Sequence, residues 1–477
     1  MVELLIVELI SITQRAKLTR INSTYPRIFH ADFLHWTHGK KTDAFLASGY
    51  LEILPRSYFA IFSQKEFVMI TPIVKRCAGL DVHKMIIVAT VQIEQDDGGI
   101  TEETKSFGTF RKHRRQLCRW MKKHKVELVI MESTGIFWKS IYESLEKALI
   151  QTFVVNARHV KQVPGRKTDV KDSQWLATLG RLGLLRPNFI PPKDLRELRM
   201  LTRQRQKLKG MLSAETNRLH KALDDSGIRL GGVVSDINGV SAQEMIQGLI
   251  EGKAPAELVT CARGRLKSKA EELFDSLDES LGERHRFLLH MIQDHIGFIR
   301  EEVRHIDDYI FKAMAPYRKQ WEFLQTVPGI DKMGAAMLIV EIGVDMARFG
   351  SKENLASWAG MCPGNNESAG KKKSGKTRKG NRAVRKVLCE ISNAAIKTKS
   401  QFKGKYQGLV VRRGHKRAIV AVGHKILRVV FSLFKNDRAY IDPGIDYESI
   451  MVKKNAPRWI QALKKYGHWP EVATKAA

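Results

Sequence analysis

The sequence predicts an α/β plus α protein: a mixed sheet flanked by helices, followed by an all-helical half. Three observations carry that prediction. Between Ile73 and Gly183, short β-branched apolar runs alternate with amphipathic helical stretches. The proline-rich break "RPNFIPPKD", residues 186–194, ends the alternation. Beyond it, Leu289, Ile292, Ile296, Ile299, Val303, Ile306 and Ile310 recur at alternating spacings of 3 and 4, a heptad seam.

At the start of the alternation, "IVKRCAGLDV" and "MIIVATVQIE" read as two strands joined by a tight turn, with "SFGTF" as a third. "HRRQLCRWMKKHK" is a basic amphipathic helix, "VELVIME" a buried strand, "WKSIYESLEKAL" a helix, "TFVVN" a strand and "TDVKDSQWLATLGRLG" a helix. A β-meander followed by βαβα alternation gives a mixed sheet covered by helices. The heptad seam finds a rougher partner in Leu195 to Leu223, which predicts an antiparallel coiled-coil arm, closed within one chain or between copies. "LQTVPGIDKMGAAMLIVEIG" reads as a helix-hairpin-helix-like element turning at Pro328-Gly329-Ile330. Two more helices surround "NRAVRKVLCEISNAAI" and "KRAIVAVGHKILRVVFSLF". The expected units are residues 69–190 for the α/β domain, 191–320 for the arm, 321–440 for the C-terminal helical domain and 441–477 for a tail. Residues 1–68 contribute only +2 to the charge and show no clean period, so they read as an upstream extension, with organised sequence opening at Met69.

The 477 residues carry a formal net charge of +31, which favours a polyanionic partner, nucleic acid by default. Five cysteines at wide spacings include no CxxC pair, so neither a disulfide framework nor a zinc site is indicated. Reduced thiols, the lack of a membrane-length apolar run and a charged N-terminal stretch predict a cytoplasmic, nucleoid-associated protein with no membrane partner.

Gly370 to Thr377 spells G-x-x-x-x-G-K-[ST], the pattern of a phosphate-binding P-loop. That loop needs a buried strand before it and a helix directly after it. Here polar "MCPGNNESA" stands before it and "RKGN" separates it from the next helix, so nucleotide hydrolysis is excluded. The segment carries nine Lys or Arg between Lys371 and Lys386 and no acid, a composition suited to a phosphodiester backbone. Gly370, Gly375 and Gly380 predict a mobile segment that orders on binding. Lys371, Lys372, Lys373, Lys376, Arg378, Lys379 and Arg382 are the candidate phosphate contacts. Arg114 and Arg115 join them from "RKHRRQLCRWMKKHK" (111–125), where Trp120 either packs in the core or stacks on a base.

Four acids stand where a metal site would want them. Asp81 ends the first strand and Glu132 the central strand. Asp169 and Asp172 sit three apart at a helix start, hence on one helical face. Strand-end carboxylates beside a helical pair can hold two hard cations that activate a hydroxyl and stabilise a leaving oxygen.

Together, "AGLDVHK", "MESTGIFW", "GRKTDVKDSQWLA", "VPGIDKMGAAML", "RFGSKENLASWAGMCPGNNESAGKKKSGKTRKGN" and "KRAIVAVGHKIL" resemble the transposases of the insertion sequence 110 family, including its 1111 branch. The resemblance runs from about Met69 to about Tyr440. It implies a RuvC-like domain of RNase H fold with a D-E-D-D site for Mg2+, here Asp81, Glu132, Asp169 and Asp172. It implies a helical C-terminal transposase domain whose serine attacks a phosphodiester and becomes joined to DNA. It also implies donor and target DNA, a structured bridge RNA as guide, and a homodimer that becomes a tetramer in synapsis, with composite sites between protomers. The family's serine lies in Pro…Ser-Gly. This sequence has Pro363 and then Ser368-Ala369-Gly370, one residue longer, so Ser368 is the assigned nucleophile and Ser374 the competitor. The alternatives are a metal-dependent nuclease or resolvase that cuts by water, and a nucleic-acid-binding protein without catalysis.

Overall fold

The computed structural model describes residues 73–133, 135–163, 171–364, 366–444 and 447–468. The expected upstream extension at 1–68 lies outside the described residues.

The α/β domain is built on five strands: β1 (Arg76–Val82), β2 (Ile86–Glu94), β3 (Ile100–Gly108), β4 (Leu128–Glu132) and β5 (Thr152–Val155). Their order in the sheet is β3-β2-β1-β4-β5. The first three pair antiparallel, while β4 lies parallel to β1 and β5 parallel to β4. This mixed topology, a meander extended by two parallel strands, is that of the RNase H fold. β1 and β4 occupy the centre because "CAGL" and "LVIM" leave no side chain that needs water. β3 is the edge and is exposed along most of its length.

The pleat sorts side chains onto two faces. One face packs on α1 (Arg111–Lys123) and α2 (Trp138–Lys147), through Leu117, Met121, Ile141 and Leu145 against Leu80, Val91 and Met131. Trp120 belongs to this core: it is 7% exposed, lies 5.5 Å from the Phe107 ring, and its Nε1 donates to Glu103. Arg114 is also used internally, donating to Ser144 Oγ and the Thr109 carbonyl, whereas Arg115 is exposed. A short α3 (Ala157–Gln162) follows β5. The other face of the sheet is covered by α4 (Asp172–Arg181), whose Leu176 and Leu179 meet Cys77, Leu128 and Ile130.

The arm is an intramolecular hairpin of α5 (Lys193–Asp225) and α10 (Glu283–Ala313). Leu208 packs on Ile299 and Val303, and Arg205 Nη2 donates to Asp307 at 2.9 Å. Between the two helices, α6 (Leu230–Val233), α7 (Val240–Glu251), α8 (Pro255–Val259) and α9 (Ala270–Leu277) form a separate tip with its own core around Met245, Leu258, Leu273 and Leu277.

The C-terminal unit holds α11 (Arg318–Gln325), α12 (Lys332–Ile342) and α13 (Lys352–Trp358), a two-stranded hairpin of β6 (Asn366–Ser368) and β7 (Lys371–Ser374), then α14 (Arg382–Ala395), α15 (Gln401–Arg413) and α16 (His415–Lys435). A last helix, α17 (Tyr447–Lys465), follows. α12 is apolar apart from Lys332 and Glu341, and is buried from Met333 to Ile342. The α11–turn–α12 segment has the expected two helices, but Asp331 caps the second by accepting from Gly334 N at 2.7 Å. The element therefore serves the core, and one amide it would offer an anion is already taken.

Candidate active site and basic groove

Cys77, Gly79 and Asp81 alternate onto the sheet face that α4 covers, and Leu128, Ile130 and Glu132 do the same on β4. Asp81 and Glu132 each directly follow the parallel pair Leu80↔Met131. Asp172 opens α4. The helix reaches this position because Gly79 has no side chain: a Cβ there would lie 2.0 Å from the Ser173 carbonyl oxygen and 2.5 Å from Ala177 N. A polar seam then fixes the helix in place. Ser173 Oγ lies 2.8 Å from Thr90 Oγ1, Gln92 Nε2 donates to Thr178 Oγ1 at 2.9 Å, and Arg181 pairs with Glu94. Gln174 Oε1 accepts from Lys171 N at 3.1 Å and closes the first turn. Each buried bond of this kind contributes about 1 kcal/mol and forbids rotation of the helix.

Three of the four predicted acids are thus brought to one end and one face of the sheet, while Asp169 lies outside the described residues. Among the described residues, no group of three or more His, Cys, Asp or Glu side chains stands close enough to hold a metal ion. The expected closed cluster is therefore not formed by Asp81, Glu132 and Asp172 alone. As a donor set the acids do fit a hard divalent ion, since all are carboxylates. His83 stands beside them, its Nε2 3.0 Å from Asp81 Oδ2. Sequence reasoning passed over this histidine, although it sits two residues after Asp81.

The lysine-rich segment, expected to be mobile, is a β-hairpin. Ser368 pairs with Lys371 across a two-residue turn. Ala369 and Gly370 both have positive φ, 49° and 74°, the signature of a type I′ turn. Ser368 is therefore the last strand residue before the tip. Ser374 sits at the base, opposite Asn366, and its Oγ accepts from Lys376 N at 3.2 Å. Pro363 bridges to Thr377 and closes the neck. Lys371, Lys376, Arg378, Lys379 and Arg382 are exposed. The backbones of Lys372 and Lys373 lie in β7.

A groove of 1520 Å3 lies where the α/β domain, the base of the arm and the C-terminal unit meet, and Asp81, Glu132, Asp172 and Ser368 are not among its lining residues. It begins at Ser133 and Asn156, the residues following β4 and β5, and ends at Lys379, Asn381 and Arg382. Its walls include Lys139, Arg196, Arg199, Arg203, Lys207 and Lys386, against Glu143 and Glu197. Shelter within the groove, then repulsion from Arg203 and Arg199, pulls the Lys139 ammonium below its ordinary value. At the floor, Glu341 of α12 is 2% exposed. It accepts from Arg203 Nε at 2.9 Å and from Asn381 Nδ2 at 2.7 Å, and lies 3.3 Å from Arg199 Nε. Asn381 meanwhile caps α14 through Ala383 N and Val384 N. One buried carboxylate thus ties the arm's base to the residue where the basic segment becomes a helix. Burial holds the Arg199 guanidinium down to about 10 in spite of Glu341.

Comparison with known proteins agrees with this arrangement. The transposase model for the DEDD domain of IS110 matches residues 78–227, and that of the transposase IS116/IS110/IS902 family matches residues 321–407. The transposase for insertion sequence element IS1111A of Coxiella burnetii is 24% identical over 352 residues, which span 72% of this chain and 87% of that protein. The RuvC structure of Thermus thermophilus overlaps 24% of this chain and 99% of its own, at 12% identity and a TM-score of 0.19. It is the strand order, and not that overlap, that identifies the fold. With the α/β domain matched by one transposase model, the helical domain by another, and a relative spanning both, this chain belongs to the IS110/IS1111 family of transposases.

Proposed function

We propose that this protein cuts and rejoins DNA strands by transesterification, with Ser368 as nucleophile. The serine Oγ–phosphorus bond forms as a phosphorus–oxygen bond of the strand breaks. The serine proton departs to a base, and the freed DNA oxygen leaves as a hydroxyl. A second DNA hydroxyl then attacks the phosphoserine and restores the serine. Bond energy is kept throughout, so no nucleotide cofactor is needed, in line with the absence of a true P-loop. The observation that carries this reading is the placement of Asp81, Glu132 and Asp172 at one end of the sheet beside the start of α4, in a chain whose lysine-rich hairpin includes Ser368. Asp81, Glu132, Asp169 and Asp172 would hold Mg2+, which supplies Lewis-acid activation of a hydroxyl and neutralises charge on the phosphate.

The chain's own residues do the rest. Lys371, Lys376, Arg378, Lys379 and Arg382, with Lys139 and Arg203 in the groove, bind the phosphodiester backbone. His83 orients Asp81 through its hydrogen bond. The I′ turn places the Ser368 backbone directly beside the exposed tip residues Ala369 and Gly370. Ser374 is the weaker candidate because its hydroxyl already closes a local turn. Further parts of the proposal are a structured bridge RNA that pairs with donor and target DNA, and a dimer, tetrameric in synapsis, in which one protomer's acids face another's serine.

The test uses end-labelled donor DNA with the wild type, Ser368→Ala and Asp81→Ala. The proposal predicts covalent protein–DNA product from the wild type with Mg2+, and none from either variant. A nuclease that works by water would keep cutting as Ser368→Ala, and that result would overturn the serine assignment.

A further inference from the structure

The C-terminal unit holds a second basic cavity, of 460 Å3, distinct from the groove. Its polar side is built by Lys405 of α15, by His424, Lys425 and Arg428 of α16, and by Lys352 and Arg438 at the rim. Glu353 accepts from Arg428 at 3.2 Å, and beside Tyr440 the Asp442 carboxylate accepts from the Tyr440 hydroxyl at 3.0 Å and from Gln401 N at 3.2 Å. Lys405 is half-buried and makes no ion pair or hydrogen bond among the described residues. Burial, then repulsion from Lys425 and Arg428, pulls its ammonium below the ordinary lysine value. Burial and the same kind of neighbours, Arg428 and Lys405, lower His424. A free protein gains nothing by sheltering a lysine against two like charges; an anion bound among them removes the penalty.

The lining also includes apolar residues, Val429, Leu433, Ile441 and Pro443. Tyr440 is held rigidly there, its ring 5.9 Å from Phe402 at 23° and its hydroxyl accepting from Gln401 Nε2 at 2.6 Å. A cavity lined both by cations and by aromatic and aliphatic residues has the two components of a nucleotide site.

We infer that this cavity binds one nucleotide, its phosphate among Lys405, Lys425 and Arg428 and its base against the Tyr440 wall. The inference rests on the proposed function only in taking nucleic acid as the source of that nucleotide. The cavity lies outside both the carboxylate end and the serine hairpin.

The test is a binding measurement in EDTA, where strand chemistry plays no part, so the fate of the transesterification proposal does not affect it. Calorimetry on the full chain compares AMP, adenosine and inorganic phosphate. The expected order is AMP tightest, phosphate at least tenfold weaker, and adenosine undetectable. Phosphate binding as tightly as AMP would overturn the nucleotide assignment in favour of a bare anion site. Lys405→Met is expected to weaken AMP at least tenfold while raising Tm, because it removes an uncompensated cation from a half-buried position. Arg438→Gln, at the exposed rim, is expected to weaken AMP about threefold without changing Tm, and it supplies the answer should Lys405→Met not fold. AMP affinity within twofold of the wild type in the folded variants would overturn the inference, as would a fall in the Tm of Lys405→Met.

Discussion

Glu341→Gln tests how the two halves of the site are held together. The wild-type carboxylate satisfies Arg199, whose side chain is 17% exposed, and Arg203, which is 48% exposed, and it accepts from Asn381. Removing one partner of a buried ion pair leaves an uncompensated charge and costs about 3–5 kcal/mol. The Arg203 share is small, about 0–1 kcal/mol, because that guanidinium reaches water. Asn381 still caps α14, so its loss stays near the value of one hydrogen bond, about 1 kcal/mol. The expected total for the C-terminal unit is therefore about 3–5 kcal/mol, dominated by Arg199. Urea unfolding followed by tryptophan fluorescence reads it, since Trp358 lines the same groove. The paired change Glu341→Met with Arg199→Met is expected to recover most of the loss, as apolar replacements of buried pairs do. A cost below about 1 kcal/mol for Glu341→Gln would show that Arg199 is solvated, and would refute the view of Glu341 as the joint between arm and hairpin.

Other outcomes stem from the same geometry. Gly79→Ala would drive a Cβ into the α4 backbone and is expected to cost about 1–3 kcal/mol while displacing Asp172, read as a lower Tm together with loss of Mg2+-dependent strand transfer. Ala369→Asn keeps the left-handed turn and is expected to retain activity, whereas Ala369→Val strains it and should lower strand transfer without altering DNA affinity. Burial pushes the Cys77 thiol up to about 12. The folded protein therefore keeps a proton that the unfolded chain releases near pH 9, and the stability this supplies is present below pH 9 and lost as pH rises toward 12. The stability of the wild type relative to Cys77→Ala should accordingly fall as pH rises from about 9 toward about 12. Lys379→Gln should weaken DNA binding alike for all sequences and reduce the salt slope by about 1.

Much of the α/β domain could be read directly because its strands are buried runs whose β-branched residues leave no competing period. The exception is β3: "ITEETK" faces water on an edge, so only its buried end, "SFG", carries a signal. The arm's seam was plain, but the tip between its helices is made of four short helices, too brief for a period to show. Asp81, Glu132 and Asp172 stood out as acids ending apolar runs or opening a helix. Arg199 and Arg203 did not, since on a long basic helix they look like solvated charges. Their partner did leave a trace: Glu341 is the single acid within "MGAAMLIVEIG". The hairpin around Ser368 was hidden because its strands, Asn366–Ser368 and Lys371–Ser374, are short and polar and its turn is defined by the backbone angles of Ala369 and Gly370, not by a recognisable Asn-Gly pair.

The most direct test of the central claim is to isolate the covalent protein–DNA product, digest it, and map the linked residue by mass spectrometry. A phosphonucleotide is expected on the peptide containing Ser368, and is expected to be absent when Asp81 is replaced by Ala. A linkage at Ser374 or at any other residue, or efficient strand cutting with no linkage at all, would contradict it.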